Sequence, residues 1–288
     1  MIRGEVRPAQ SADIEAVCRL LHEQMNGRLS PDRWRQLMTY RWLSEKPDLG
    51  RVAVLGGKVV GFVGMVYADR NLGGRQRRIV NICAWYLDKA HRGVGLGFEL
   101  MRSATADEIM SYTILTSSSR TLSLLAAIGY RILDDKRCLW AATGVPPGEL
   151  DFEENPERIL ARIDDVARRM LNDHAVLPVR PILIADAASS CLTVFSVKRK
   201  HGDVIHFDVL HLSNPSFFAA RAQRIADGLL PRDAKAMMVV DERLLQGHQH
   251  DGKIERLPVP RYYKSRTVGP GEIDNMYSEV QLLDLKLD

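Results

Sequence analysis

Four cysteines are few for 288 residues, and spacing pairs none of them: Cys18, Cys83, Cys138 and Cys191 stand apart, with no Cys-x-x-Cys and no Cys/His cluster. That argues against a zinc site and a disulfide framework, and it fits a reducing, cytoplasmic compartment. Charge of one sign is also scarce. Forty Lys and Arg against 36 Asp and Glu leave a formal +4, which suits a small anionic ligand but is too slight and dispersed for nucleic acid. The one basic run, Gly73–Val80 ("GGRQRRIV"), reads as a solvated hairpin or as a phosphate contact. No stretch approaches the roughly 18 consecutive apolar residues of a membrane span. The opening "MIRGEVRPAQ" carries no apolar core of a signal peptide. No Gly-Lys-[Ser/Thr] occurs, so a Walker phosphate loop is excluded.

What is present is an ordinary globular balance, 45% hydrophobic and 26% charged, arranged as alternating elements. Ile2–Pro8 reads as a strand. Ser11 is placed to cap a helix whose Ile14, Val17, Leu20 and Leu21 share a face. Ser30-Pro31 opens a second helix, with Trp34, Leu37, Met38 and Trp42 as its stripe. Arg51–Ala68 predicts a hairpin turning at Gly56-Gly57, and Arg78–Asp88 a third strand. Phe98, Leu100, Met101, Ala104 and Ile109 predict a helix, Ser111–Ser118 a buried strand, Ser119–Tyr130 a short helix closed by Gly129, and Tyr130–Thr143 a last strand. Thr143–Pro156, rich in proline, glycine and acids, predicts a linker (144–156) between a first domain, 1–143, and a second, 157–288. The second half is α+β: an amphipathic helix over Ile159–Leu171, strands at Cys191–Val197 and Val204–Leu212, a helix at Pro215–Leu230 and a strand at Ala234–Val240. Its order is like a fragment of the first half.

Chemistry concentrates at Ala90–Met101, "AHRGVGLGFELM", where Gly93, Gly95 and Gly97 lie between a strand and a helix. A helix start offers unpaired N–H groups and partial positive charge, and glycines let an anion approach that backbone. A dinucleotide fingerprint fails, because Phe98 stands where its third glycine belongs and the strands upstream are joined by hairpins. Arg92-x-x-Gly95-x-Gly97 instead resembles the pyrophosphate loop of the GNAT N-acyltransferase superfamily, [Arg/Gln]-x-x-Gly-x-[Gly/Ala]. The element order of roughly the first half and "LLAAIGY", ending at Gly129-Tyr130, are similar to that family as well.

The resemblance implies an α/β fold of the GNAT type, with a mixed, mostly antiparallel sheet flanked by helices, followed by a smaller C-terminal α+β domain resembling a partial GNAT repeat. It implies acetyl-CoA (or another acyl-CoA) as co-substrate and no metal. The backbone of Val94, Gly95, Leu96 and Gly97 would hold the pyrophosphate, with Gly93 and Arg92 beside it. The backbone of Trp85 and Leu87 would pair with pantetheine, in the gap that a β-bulge opens in the strand. "NICAWYLDKAHRG" and the tail "PRYYKSRTVGPGEIDNMYSEVQLLDL" are similar to GNAT-like proteins associated with sugar or polysaccharide assembly, which favours an amino sugar as acceptor.

Departures from the family bear on mechanism. The position of its thiolate-protonating tyrosine is Leu125, and that of a frequent asparagine is Ser118, so a hydroxyl of Thr116–Ser119 or water is left to protonate the thiolate. Asn81 interrupts an apolar strand. It reads either as a ligand of the acceptor or its water, or as a buried amide satisfied by neighbours. Period-2 alternation predicts Cys83 and Trp85 on the same face, Trp85 as a pocket wall or as core and Cys83 as a small core residue. Asp88 and His91 flank the loop, and Glu23 reads as facing the acceptor or solvent; no general base is identified. In the second half His206 and His211, five apart, point to opposite faces. His248, His250 and Asp251 read as a polar turn rather than a metal site. The helix at Pro215 opens without glycine, so no CoA is expected there. The sequence thus predicts an acyl-CoA-dependent N-acyltransferase acting on a small amine, with an acyl-CoA-binding sensor or scaffold as alternative. It predicts neither nucleic acid nor membrane as partner; the second half would cover the acceptor cleft or a sheet edge, or mediate homodimerisation.

Overall fold

The computed structural model describes residues 4–287; Met1–Arg3 and Asp288, and with them the first residues of the strand expected at Ile2–Pro8, lie outside. The chain runs β1 (Glu5–Pro8), α1 (Ile14–Leu20), α2 (Pro31–Thr39), β2 (Arg51–Leu55), β3 (Lys58–Leu72), β4 (Arg75–Leu87), α3 (Leu96–Ala104), β5 (Ser111–Ile114), α4 (Leu122–Ala127) and β6 (Arg131–Trp140). It continues through β7 (Asp151–Glu153), α5 (Pro156–Arg162), α6 (Asp165–Asp173), β8 (Arg180–Ala185), β9 (Ser190–Arg199), β10 (Ile205–Leu212), α7 (Pro215–Leu229), β11 (Ala236–Asp241), β12 (Lys253–Lys264) and α8 (Glu279–Leu282). Among the described residues no helix is long and apolar enough to cross a membrane.

The chain forms two compact units. The first runs to Arg131 and takes back Arg261–Val268 and Tyr277–Leu285. Its strand order is β1-β2-β3-β4-β5-β12, antiparallel except for β4 beside β5. Local chemistry explains most of the elements. Gly56 and Gly57 take φ +57° and +80°, the two positive values that a two-residue hairpin turn needs. Ser30 caps α2, its hydroxyl accepting from the Arg33 N–H at 3.2 Å. Ser11 does not cap the first helix. Ser11–Asp13 is a 3-10 turn, and the Asp13 carboxylate, gripped by Arg7 at 2.7 and 2.8 Å, accepts from the Gln10 N–H at 2.8 Å. Trp42 lies beyond the end of α2 and donates its indole N–H to the Tyr67 carbonyl at 2.9 Å. The core beneath α3 and α4 joins Val80 and Ile82 of β4 to Leu100, Met101, Leu125 and Tyr130.

The second unit holds Ile132–Pro260, Gly269–Met276 and the chain from Lys286. Its strands run β12-β6-β11-β10-β9-β8-β7, with β10 and β11 parallel. From β7 to β11 its order, strand, two helices, three antiparallel strands, helix, parallel strand, is that of β1 to β5. Trp140, Phe195, Phe218, Ile225 and Val240 form its core.

These bounds differ from a division at 143 and 157. The strand expected to finish the first half, β6, pairs instead with β11, Trp140 opposite Met238, because Cys138 and Trp140 are buried in the second core. In the first unit β5 has Tyr262–Lys264 of β12 as its neighbour. The stretch 144–156 is not a bare linker: Leu150 is buried, β7 pairs with β8, and Asp227 accepts from Gly144 N–H at 3.2 Å.

Candidate active site

Within the first unit, β4 carries one residue more between Cys83 and Tyr86 than β3 offers between Gly64 and Phe62. Ala84 absorbs the extra residue at φ +47°, a conformation costing a non-glycine residue roughly 1 kcal/mol. The bulge reverses the alternation of the strand. Trp85 and Leu87 join the cluster beneath α3, and Trp85 donates its indole N–H to the Gly97 carbonyl at 3.2 Å. Asn81 and Cys83 stay on the other face, so the expectation that Trp85 shares it is corrected.

β4 pairs in parallel with β5 at Ile79–Ser111, Val80–Tyr112 and Asn81–Thr113. Beyond Asn81, β4 continues to Leu87, whereas β5 ends at Ile114. The longer strand leads into a 3-10 turn, Lys89–His91, capped by the Asp88 carboxylate accepting from the Ala90 N–H at 3.1 Å. Arg92 ties this turn down. Its Nε donates to the Leu87 carbonyl at 2.9 Å, and its guanidinium lies 5.3 Å from the Tyr86 ring centroid.

Gly93 and Gly95 follow at φ +86° and +85°. A Cβ at either would meet nothing within 4 Å, so conformation, not space, calls for glycine. Gly95 is the cap residue of α3 and has no side chain to accept from the first-turn N–H groups. Val94 is 77% exposed, and Leu96 turns inward. The first N–H groups of α3 have no partner within the helix, and they stand at the end of a bulged strand. This arrangement can take an anion at the helix start and an extended chain along the strand edge.

At the point where β4 and β5 part, Asn81 and Thr116 meet a carboxylate that sequence reading missed, Glu279. Asn81 is 2% exposed; its Nδ2 donates to Thr113 Oγ1 at 3.4 Å and its Oδ1 accepts from the backbone N–H of Glu279 at 3.0 Å. Asn81 is therefore a bonded buried amide, with a partner from the tail as well as from its strand neighbour. Glu279 is 1% exposed and accepts from Thr116 Oγ1 at 2.6 Å. Burial pushes its carboxyl above the usual range, opposed by the Thr116 hydroxyl, its own N–H, Asn81 and the charge of Arg261. Cys83 is buried beside it; burial and then the Glu279 charge push the thiol well up, which does not suit a nucleophile. The sequence signal for this tail is Ser278-x-x-Gln281, a capping box that marks a helix start, its hydroxyl accepting from the Val280 N–H at 3.3 Å.

Other expected residues lie apart from this cluster. Ser118 is exposed and caps a 3-10 turn, accepting from the Arg120 N–H at 3.3 Å. Leu125 is 1% exposed in the core. Glu23 is exposed in a π-helical turn, Leu21–Met25. In the second unit the register of β10 slips between Val209 and His211, which puts His206 and His211 on one face instead of two. His211 pairs with Asp274 at 2.7 Å, while His206 lies 4.0 Å from Asp208. His250 Nε2 is 3.5 Å from Cys138 Sγ, and Asp251 accepts from the Trp140 indole at 2.7 Å. Among the described residues no group of three His, Cys, Asp or Glu is placed to hold a metal ion.

Residues 14–110 match the profile of the acetyltransferase (GNAT) family. A GCN5-related N-acetyltransferase from Kribbella flavida superposes with a TM-score of 0.56 at 15% identity, covering 91% of this chain and 71% of its own. One from Anabaena variabilis gives 0.53 at 15%, covering 91% and 72%, and Eis1 from Mycobacterium abscessus gives 0.52 at 15%, covering 91% and 73%. At these identities the likeness is one of fold. No curated protein matches the sequence.

Proposed function

We propose, from a chain whose residues 14–110 form a GNAT-family acetyltransferase domain, that the protein moves an acyl group, most simply acetyl, from acyl-CoA to the amine of a small acceptor such as an amino sugar. The observation that carries this reading is the glycine-bare start of α3 at the bulged end of β4. Val94 to Gly97 would hold the pyrophosphate through their N–H groups, with Arg92 fixing the loop to Leu87. The strand edge at Trp85–Leu87 would align pantetheine. Bound acyl-CoA supplies an activated thioester carbonyl; the chain contributes proximity and orientation at the opening beyond Asn81 and Thr113. The four free, buried cysteines support a cytoplasmic setting.

One observation favours a second reading, a sensor that binds acyl-CoA without turning it over. Leu125, buried in the core, stands where the family carries its thiolate-protonating tyrosine, and the Thr116 hydroxyl donates its proton to Glu279. Calorimetry with acetyl-CoA, followed by release of CoA thiol with and without glucosamine, separates the readings. The transferase reading expects binding, at least about 100-fold weaker (about 2.7 kcal/mol) in Gly95→Asp, and thiol release that glucosamine accelerates. Binding without release favours the sensor; absence of binding rejects both.

A further inference from the structure

Acyl-CoA binding leaves the buried Glu279 without a use. One of its oxygens takes the Thr116 hydroxyl, but Oε2 has no hydrogen-bond partner, and an unpaired oxygen on a 1% exposed carboxylate destabilises the fold. Yet the residue is firmly held. Asn81 fixes its backbone N–H from the last residue of β4 that pairs with β5, and Thr116 fixes its carboxylate from just past the end of β5. Tyr277 enters the segment at φ +57°, and the Ser278 and Gln281 side chains close the turn. The carboxylate therefore sits where the two parallel strands part, on the Cys83 face of β4 and away from α3 and the Leu125 core.

We propose that Glu279 is the proton acceptor for the attacking amine and that Asn81 and Thr116 position it; this rests on the acyl-transfer reading. The amine nitrogen's lone pair forms the C–N bond to the thioester carbonyl carbon. The C–S bond breaks, with its electron pair leaving on sulfur. The nitrogen's proton passes to Glu279 Oε2, the thiolate takes a proton from water, and Glu279 returns its own to water before the next turnover. The acceptor class follows: a primary amine, which leaves in water the proton it carries there, enters as the neutral base with its lone pair free, and donates an N–H to the unpaired oxygen. Burial sets the pH dependence. Of the groups facing Glu279, Arg261 brings positive charge, Cys83 is held as a neutral thiol, and Asn81 and Thr116 do not ionise. The acid limb of kcat at saturating amine is expected above the ordinary glutamate range.

The test compares the full-length protein with Glu279→Gln, whose amide oxygen still accepts from Thr116, and with Asn81→Ala. Thiol release from acetyl-CoA is followed against pH with glucosamine and, in parallel, ethylamine at high concentration, and acetyl-CoA affinity is measured by calorimetry. The expected result is that Glu279→Gln binds acetyl-CoA as the parent does, loses about 100-fold or more in kcat and loses the acid limb. Asn81→Ala keeps that limb at reduced kcat. A Glu279→Gln protein with unchanged kcat and an unchanged limb overturns the assignment alone. Parent protein that neither amine stimulates overturns the acyl-transfer reading, and the assignment with it.

Discussion

The two units build a strand, a helix and a parallel strand in the same order, and they finish the helix start in opposite ways. In the first, α3 begins at Gly95 with φ +85° and no capping side chain. In the second, α7 begins at Asn214, whose side-chain oxygen accepts from the Phe217 N–H at 3.1 Å, with Pro215 next and Phe217 and Phe218 buried. The strands differ too. Past its bulge β4 runs on beyond β5, whereas within its own register slip β10 has its Leu210 carbonyl taken by the Asn275 N–H at 2.9 Å. The nearby tail segments differ again: Asp274 pairs with His211, while Glu279 keeps an unpartnered oxygen. One topology thus leaves the first N–H groups of the helix open at α3 and has one of them taken by a capping side chain at α7; the ligand site proposed above uses the first and not the second.

Four substitutions bear on this contrast, in decreasing order of effect. Trp140→Ala should remove about 3–5 kcal/mol of stability, since Trp140 is 2% exposed and donates to Asp251. If the second unit is framework, acetyl-CoA affinity of the folded fraction stays unchanged; denaturant unfolding and calorimetry read the two quantities. Gly95→Ala places a side chain at a positive φ that costs roughly 1–2 kcal/mol, and it should weaken acetyl-CoA binding by about 10-fold in titration calorimetry. Asn214→Ala should cost about 1 kcal/mol of stability with no change in acetyl-CoA affinity, whereas a drop in affinity would erase the distinction between the two helix starts.

The smallest effect is a trend with pH. A carboxyl whose pKa is raised by folding contributes stability that is fully present below its unfolded pKa and is lost as pH rises through the folded value. Glu279→Gln cannot ionise. Its thermal midpoint should therefore gain on that of the parent as pH rises above the ordinary glutamate range, and a constant difference would place Glu279 in water.

Much of this was legible locally. The Gly56-Gly57 turn, the Ser30-Pro31 cap and the glycine-bare start of α3 are short-range signals, and each marks a real element boundary. What was not legible depends on partners distant in sequence. β6 reads as a strand, but alternation cannot say that it joins β11. The family resemblance implies a bulge in this strand, but its place at Ala84 has no residue signature, because alanine carries the positive φ, so plain alternation puts Trp85 on the wrong face. The slip in β10 misplaced His211 in the same way. Glu279 was invisible as a site residue: its Asn81 and Thr116 partners lie 198 and 163 residues away, and a charged residue in an apolar tail looks solvated until the tail is seen buried.

The most direct test of the central claim is amide hydrogen exchange with and without acetyl-CoA. The account predicts slowed exchange over Ala84–Phe98, the bulged strand end and the α3 start, and none over Ser213–Phe218. Unchanged exchange at Ala84–Phe98, or protection at Ser213–Phe218 in its place, would contradict it.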